Sequence, residues 1–222
     1  MKKFSVLDYG ALAVWLLPAV YLVFIYGSLP QNVPMHYDIN GNVNAYGSKG
    51  EFIGTLGFLM GISALVYLLL KYLPLIDPKK QVKYGESTFH KLAFGIVIFL
   101  TALNIAISYA TIHKGIKIDK LIFPVVGLLF IFIGNMMNSL KPNYFAGIRT
   151  PWTLESEDNW RATHRLASKV WVIGGIILTV LMLFLPAEAA TIVFICCVLV
   201  MAFIPLTFSY LYFRKHRLNQ HS

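Results

Sequence analysis

Two hydrophilic segments hold the residues best suited to bind a ligand or to move a proton, and the first is segment 30–51. Within it, His36 and Asp38 are two residues apart, so on an extended strand both side chains would point to the same side. With Lys49 or Glu51 nearby, they could form an external site for a ligand, a metal or a proton. One histidine and one aspartate fall short of the ligands that zinc usually takes. The alternative is a loop that hydrogen bonds hold against the helix ends.

The order of residues in this segment predicts a folded loop rather than a plain spacer. Met35–Ile39 alternates apolar and polar residues, which favours a short extended piece. Asn40–Gly41 predicts a turn, because both residues tolerate a positive φ. Gly47–Ser48 then leads to Lys49 near the start of a helix. The candidate functional residues of this loop are therefore His36, Asp38, Gly41 and Lys49.

The second hydrophilic segment, 141–169, is irregular as far as Leu154 and predicts a helix from Ser156 onward. The serine can serve as the N-cap of that helix. Glu157 and Asp158 would follow in the first turn, where the helix dipole favours negative charge. The aromatic residues of the irregular part suit a membrane interface.

Basic residues spaced by four along the predicted helix share one face, which carries Arg161, Arg165 and Lys169. Trp160 and His164 lie on another face. This pattern is typical of a short amphipathic helix at the cytoplasmic membrane surface, where anionic lipid attracts basic side chains. The alternative is a docking or binding surface that faces the cytoplasm, built from Arg149, Trp152, Arg161 and His164.

Motifs of known catalytic chemistry are missing from the sequence. It has no G-x-S-x-G, no H-E-x-x-H, no phosphate-binding glycine loop and no cysteine cluster. We therefore expect no enzyme, no cofactor and no metal. The enzymatic alternative is a site at the cytoplasmic face that uses His164 with Glu155.

Composition shows which elements must position these residues. Hydrophobic residues make up 57% of the 222 and charged residues only 13%, whereas about a quarter of the residues of a soluble domain are charged. A soluble domain, a disordered chain and a disulfide scaffold are all poor matches. About 20 apolar residues of helix cross a bilayer, and hydrocarbon forces each such run into a helix. The predicted fold is all-α with six membrane spans, which are Tyr9–Leu29, Phe52–Leu70, Leu92–Ile112, Leu121–Leu140, Val170–Pro186 and Ala189–Phe213.

Basic residues predict the orientation of these spans. Of the 19 lysines and arginines, 15 lie in the segments on the side of the N-terminus and 4 on the other side. The positive-inside rule then places both termini in the cytoplasm. Segment 30–51 is thus an outer loop and segment 141–169 an inner loop of a multi-pass protein in the inner (plasma) membrane. The net charge of +9 indicates an anionic lipid surface as the partner rather than nucleic acid.

Three asparagines, Asn104, Asn135 and Asn138, fall within the predicted third and fourth spans. Polar groups at membrane depth normally turn inward and bond across helices, so we expect them to hold the helices together. The alternative function is a small-solute transporter or channel, with these asparagines along its path and His36 and Asp38 at its mouth. The absence of charges in the predicted spans argues against an ion-driven pump.

The inner loop carries a long motif, Asn143-Tyr144-Phe145-Ala146-Gly147-Ile148-Arg149-Thr150-Pro151-Trp152-Thr153-Leu154-Glu155-Ser156, followed by Trp160 and Thr163-His164-Arg165. It resembles the signature of the SdpI family of bacterial membrane proteins. The outer loop, with Pro34, His36, Gly41 and Ser48-Lys49, is similar to a small domain of unknown function often found at the N-terminus of such proteins. The matched motif positions, which are candidates for partner binding, are Asn143, Gly147, Arg149, Thr150, Pro151, Trp152, Trp160, Thr163 and His164.

The resemblance implies a multi-spanning immunity protein without enzymatic activity. Such a protein protects the cell from a secreted peptide toxin that attacks the membrane, and it acts as a receptor that draws a cytoplasmic repressor to the membrane. In this interpretation the outer loop meets the toxin and the inner loop holds the repressor. The whole chain, 1–222, is then one six-helix membrane domain.

Overall fold

The computed structural model describes residues 4–38, 41–76, 85–113 and 115–218. Within these residues the chain forms six long helices, one short helix and a β-hairpin. In chain order they are α1 (Val6–Ile25), a 3₁₀ turn (Tyr26–Ser28), β1 (Val33–Tyr37), β2 (Val43–Gly47), α2 (Lys49–Ile76), α3 (Glu86–Ile112), α4 (Asp119–Met137), α5 (Pro151–Glu155), α6 (Glu157–Phe184) and α7 (Ala187–Leu218).

All six long helices are long and apolar enough to cross a membrane. Large apolar side chains cover their outward faces; Phe24 is 81% exposed, Phe58 68% and Phe184 79%. Such surfaces are unfavourable in water and suit the hydrocarbon of a bilayer. The predicted all-α membrane fold with six spans is thereby confirmed, with the small β-hairpin as an addition to it.

All six long helices extend beyond at least one end of their predicted spans. Helices α1 and α2 show the reason, because the prediction ends a span where a charged residue stands. The first helix begins at Val6, where the carboxylate of Asp8 accepts hydrogen bonds from the backbone N–H and the hydroxyl of Ser5, at 2.6 and 2.9 Å. The second helix continues past Lys71 to Ile76. Both charged residues therefore lie inside helices, at one end of the bundle.

The amphipathic segment predicted before the fifth span is the first part of α6 rather than a separate helix. Helix α6 runs without a break from Glu157 to Phe184. The N-cap prediction is confirmed, since the Ser156 hydroxyl accepts a hydrogen bond from the Asn159 N–H at 3.2 Å. No proline or glycine separates the amphipathic part from the membrane part, so nothing in the sequence ends the helix there.

The outer loop folds into an antiparallel hairpin of β1 and β2. Its tip includes Gly41, which has φ +76, a conformation that glycine adopts without strain. The predicted extended piece agrees with β1 as far as Tyr37, while Ile39 and Asn40 lie outside the described residues. Below the hairpin, Val33 packs with Phe52 and other apolar residues into a buried cluster, which seats the hairpin on α1 and α2.

The start of α1, the end of α2, the start of α3, the inner loop and the end of α7 meet at one end of the bundle, which we call the inner end. Ala146 of the inner loop packs against Leu73 of α2 and Phe89 of α3. Trp152 donates a hydrogen bond to Ser209 of α7 at 2.7 Å. The loop is therefore attached to helices from both halves of the chain.

The prediction that the three asparagines turn inward and bond across helices is confirmed only in part. Asn104 is buried, and its side chain donates to the Leu100 carbonyl of its own helix at 3.1 Å. Asn135 is exposed, and Asn138 is exposed just after the last residue of α4. The inward orientation expected for Asn135 is wrong, because glycines form the face of α4 that packs on α6. Asn138 bonds across helices as expected, since its amide donates to the Ser168 hydroxyl of α6 at 3.3 Å.

Candidate functional site

The inner loop is folded around the side chain of Asn143, which is 2% exposed. Its amide nitrogen donates to the carbonyls of Lys141 and Ala146, at 2.8 and 3.1 Å. Its carbonyl oxygen accepts from the backbone N–H groups of Phe145 and Ala146, both at 2.8 Å. One side chain thus satisfies four backbone groups of a tight turn, as asparagine does well in turns.

His164 holds the next part of the loop. Its Nε2 accepts a hydrogen bond from the Ile148 N–H at 3.1 Å, and its Nδ1 donates to the Trp160 carbonyl at 2.8 Å. These partners require a neutral imidazole with its proton on Nδ1. Its ring is 2% exposed and stacks on Trp160 at 4.0 Å between ring centres. His164 therefore acts as a fixed bridge between α6 and the loop.

This geometry contradicts the enzymatic alternative. Both nitrogens of His164 already bond to backbone groups, which leaves neither of them for a reacting molecule. Glu155 lies elsewhere, in a cavity between α5 and α7 that His164 does not line.

Trp160 connects α6 to the end of α4. It is fully buried, and its indole N–H donates to the Leu140 carbonyl at 2.8 Å. Around it pack Met137, Ile148 and Ala167. Trp160 is thus a core residue of the inner end.

The Thr150-Pro151-Trp152 part of the motif starts α5. Thr150 is the N-cap, and its hydroxyl accepts from the Thr153 N–H at 3.3 Å. Pro151 is the first helical residue, a position that suits its fixed φ. Trp152 reaches α7, where its ring lies 5.5 Å from that of Tyr210. This part of the motif therefore places a tryptophan between the loop and the last helix.

Buried side-chain hydrogen bonds join α6 to α7. The Thr163 hydroxyl donates to the side-chain oxygen of Asn159 at 2.9 Å, and the amide of Asn159 donates to the Ser209 carbonyl at 3.0 Å. All three residues are 0 or 1% exposed. Asn159 and Ser209 are not among the predicted site residues. The only feature of the sequence that singles out Ser209 is that it is a polar residue within an apolar run.

One accessible part of the inner end is a cavity of about 700 Å³ between α5, the start of α6 and the end of α7, which we call the α5–α7 cavity. Two carboxylates and three aromatic rings border it. Its lining residues are Pro151, Trp152, Glu155, Ser156, Asp158, Asn159, Tyr212, Phe213 and His216. Nearby, Arg149 is exposed and donates to the Tyr144 carbonyl. Of the nine matched motif positions, Arg149 and Pro151 are exposed and Trp152 is half-buried at the border of this cavity, so a partner could touch these three here.

The outer-loop candidates each have a separate neighbour. His36 hydrogen-bonds through Nδ1 to Asn44 at 2.6 Å. Asp38, beyond the end of β1, accepts from the Asn42 N–H at 2.8 Å. The Lys49 ammonium lies 5.3 Å from the centre of the Tyr26 ring. Among the described residues, no group of three or more histidines, cysteines or acids could hold a metal.

An ionic cluster at the inner end was not predicted from the sequence. Asp8 of α1 bonds to the Lys71 ammonium of α2 at 2.6 Å and accepts from the Tyr67 hydroxyl at 2.6 Å. His90 of α3 completes it, with Nε2 at 3.0 Å from the Tyr67 oxygen and 3.3 Å from Asp8. Because Asp8 and Lys71 are 4 and 7% exposed, this cluster is a buried junction of three helices.

Substituting alanine for Gly147 is expected to destabilise the inner loop. This residue has φ +108, and a Cβ there would lie 2.4 Å from Nε2 of His164. Gly115 is the matched control, since it has φ +96 but no atom within 4 Å of its Cβ position. We expect Gly115→Ala to cost only the conformational strain, about 1–2 kcal/mol, and Gly147→Ala to cost more. Thermal unfolding in detergent measures both, and equal losses would contradict the contact between loop and histidine.

Comparison with known proteins places these features in a family. The model of the SdpI/YfhL protein family matches residues 139–209, from the inner loop to the serine that Trp152 contacts. The model of a domain of unknown function, DUF1648, matches residues 13–62, which include the outer hairpin. The chain is 30% identical over 193 residues to Immunity protein SdpI of Bacillus subtilis (strain 168), covering 87% of this chain and 89% of that protein. No solved structure matches the chain. The chain belongs to the SdpI family of multi-pass membrane proteins.

Proposed function

We propose that this protein makes a bacterial cell resistant to a membrane-active peptide toxin and signals inward by holding a cytoplasmic repressor. The observation that carries the proposal is the similarity to an immunity protein over 87% of the chain. The two matching family models cover the outer hairpin and the inner loop, the two parts that such a function needs on opposite faces. We place the protein in the plasma membrane with both termini in the cytoplasm, as a single domain, 1–222.

The outer hairpin is the proposed contact for the toxin. Its two strands stand on a buried apolar cluster, so a ligand would meet an ordered surface. His36 and Asp38 border this surface, and their hydrogen bonds to Asn44 and Asn42 hold them in place. Preorganised polar groups bind with less loss of entropy than mobile ones.

The α5–α7 cavity is the proposed contact for the repressor. Glu155 and Asp158 give it two negative charges on a side of the protein that carries 15 of the 19 basic residues. Trp152 and Phe213 add aromatic faces, which attract cations. A lysine or arginine side chain of the partner fits this combination of charges and rings.

The proposal gives the protein no catalytic step. Its motif residues bond mainly to the backbone and to each other, as His164, Asn143 and Trp160 do. They build a rigid surface, and a rigid surface is what recognition of a partner requires.

Survival of a toxin-sensitive bacterium that expresses the chain tests the immunity part. We expect the unaltered protein to restore growth in the presence of the toxin, whereas an expressed and membrane-inserted protein that gives no protection would overturn it. Recruitment of the repressor to membranes tests the signalling part. We expect Glu155→Gln with Asp158→Asn to reduce recruitment at least fivefold without reducing survival.

Glu157→Gln is the matched control for this second experiment. Glu157 is an exposed acid of the same region, but it pairs with Arg161 and does not line the α5–α7 cavity. An equal loss of recruitment in the control would show that overall charge, not the cavity, attracts the repressor.

A further inference from the structure

A second cavity at the inner end differs from the first in its charge. It measures about 350 Å³ and lies where α4 ends and α6 begins; we call it the α4–α6 cavity. Basic side chains from two parts of the chain border it, Lys141 from the loop and Arg161 and Arg165 from α6. One carboxylate, that of Glu157, also lines it.

The charges of this cavity favour an anion. Three cations face one carboxylate, and Arg161 is the residue that pairs with it, at 2.5 Å. That pair is exposed, with 67 and 60% of the two side chains accessible, so an incoming anion can reach the guanidinium without breaking a buried contact. Arginine presents several N–H groups in one plane and matches the oxygens of a phosphate.

The position of the cavity indicates that the phosphate belongs to a lipid headgroup. Its walls include Leu140, three residues beyond the end of α4, and Trp160, in the first turns of α6. Membrane helices leave the hydrocarbon and enter the headgroup layer at such places. Basic pockets between membrane helices on the cytoplasmic side bind lipid headgroups.

We propose that the α4–α6 cavity binds the phosphate of an anionic phospholipid of the inner leaflet, with Arg161 and Arg165 as the main ligands. This site is more specific than a general attraction of basic residues to the membrane. Lys169 shares the α6 face with both arginines by its spacing of four, yet it does not line the cavity. A lipid bound here would connect the end of α4, the inner loop and α6.

Lipid binding to the full-length protein, purified in detergent, tests the proposal by native mass spectrometry with phosphatidylglycerol as the probe. We expect Arg161→Gln with Arg165→Gln to weaken binding at least tenfold, and Lys169→Gln to weaken it less than twofold. Phosphatidylcholine, whose headgroup has no net charge, should bind at least tenfold more weakly than phosphatidylglycerol. Equal losses in the arginine and lysine variants would overturn the site and leave only attraction to the surface.

Competition with inorganic phosphate distinguishes a lipid headgroup from free phosphate as the ligand. We expect it to displace phosphatidylglycerol only at concentrations at least a hundredfold higher than the lipid. Displacement at equal concentration would overturn the assignment to a lipid and show a site for free phosphate. The melting temperature of each variant without added lipid should stay close to that of the unaltered protein, because both arginines are exposed and an exposed ion pair adds little to stability.

Discussion

Removing the carboxylate of Asp8 by alanine substitution is expected to lower the free energy of unfolding by about 3–5 kcal/mol, since this is the cost of leaving one partner of a buried ion pair alone. Lys71 would remain in the bundle with only 6% of its side chain exposed. The hydroxyl of Tyr67 would also lose the acceptor that now lies 2.6 Å away. Thermal unfolding in detergent, followed by the loss of monodisperse protein, measures the effect.

A double-mutant cycle shows whether this loss comes from the pair itself. Lys71→Met alone should also be strongly destabilising, while the double variant Asp8→Ala with Lys71→Met should lose less than the sum, because no buried charge is left. Glu157→Gln is the control, since it breaks an exposed pair with Arg161 that is worth at most about 1 kcal/mol. Strictly additive losses would show that the two charges do not stabilise each other.

This cluster also shows why the sequence predicts spans better than sites. Long apolar runs identify membrane helices because hydrocarbon accepts almost nothing else. The sequence therefore predicts Asp8 and Lys71 outside the spans, where charged residues of membrane proteins usually lie. Their attraction becomes visible only when α1 and α2 are brought together, since the two residues lie far apart in the sequence.

The inner loop was predicted in part. Its motif residues follow from the sequence, and so does the helix that Ser156 caps. The sequence does not predict which motif residues are structural and which are accessible, because this depends on burial. His164 and Asn143 face inward and bond to backbone groups, while Arg149 is exposed. A histidine beside an arginine and a tryptophan in the sequence is equally compatible with a docking surface.

The outer loop was also predicted only in part. The alternation of residues predicts β1, and the turn residues predict that the chain reverses, but the partner strand β2 was not predicted. Strand pairing fixes the register of the hairpin, and here that register is irregular on both sides of His36. Asp38 lies one residue beyond the end of β1.

The second large effect is expected where α4 and α6 touch through their backbones. A Cβ at Gly127 would lie 2.9 Å from the Thr179 nitrogen and 3.0 Å from the Gly175 oxygen, and a Cβ at Gly175 would lie 2.7 Å from the Gly127 oxygen. Small residues allow membrane helices to pack this closely. Gly175→Ala should therefore destabilise the protein by about 3 kcal/mol, the upper part of the range for overpacking, because backbone atoms cannot rotate away from the added methyl group.

At Gly57 of α2, the same substitution is expected to raise the stability of the protein instead of lowering it. No atom lies within 4 Å of its Cβ position, so Gly57→Ala should leave packing unchanged and stabilise the helix by up to about 1 kcal/mol through higher helix propensity. Melting temperatures of the two variants in the same detergent should move in opposite directions. Because Trp160 bonds to Leu140 just after α4, we further expect Gly175→Ala, and not Gly57→Ala, to reduce the proposed recruitment of a repressor to the inner end. Shifts of the same sign and size would exclude glycine contact as the basis of α4–α6 packing.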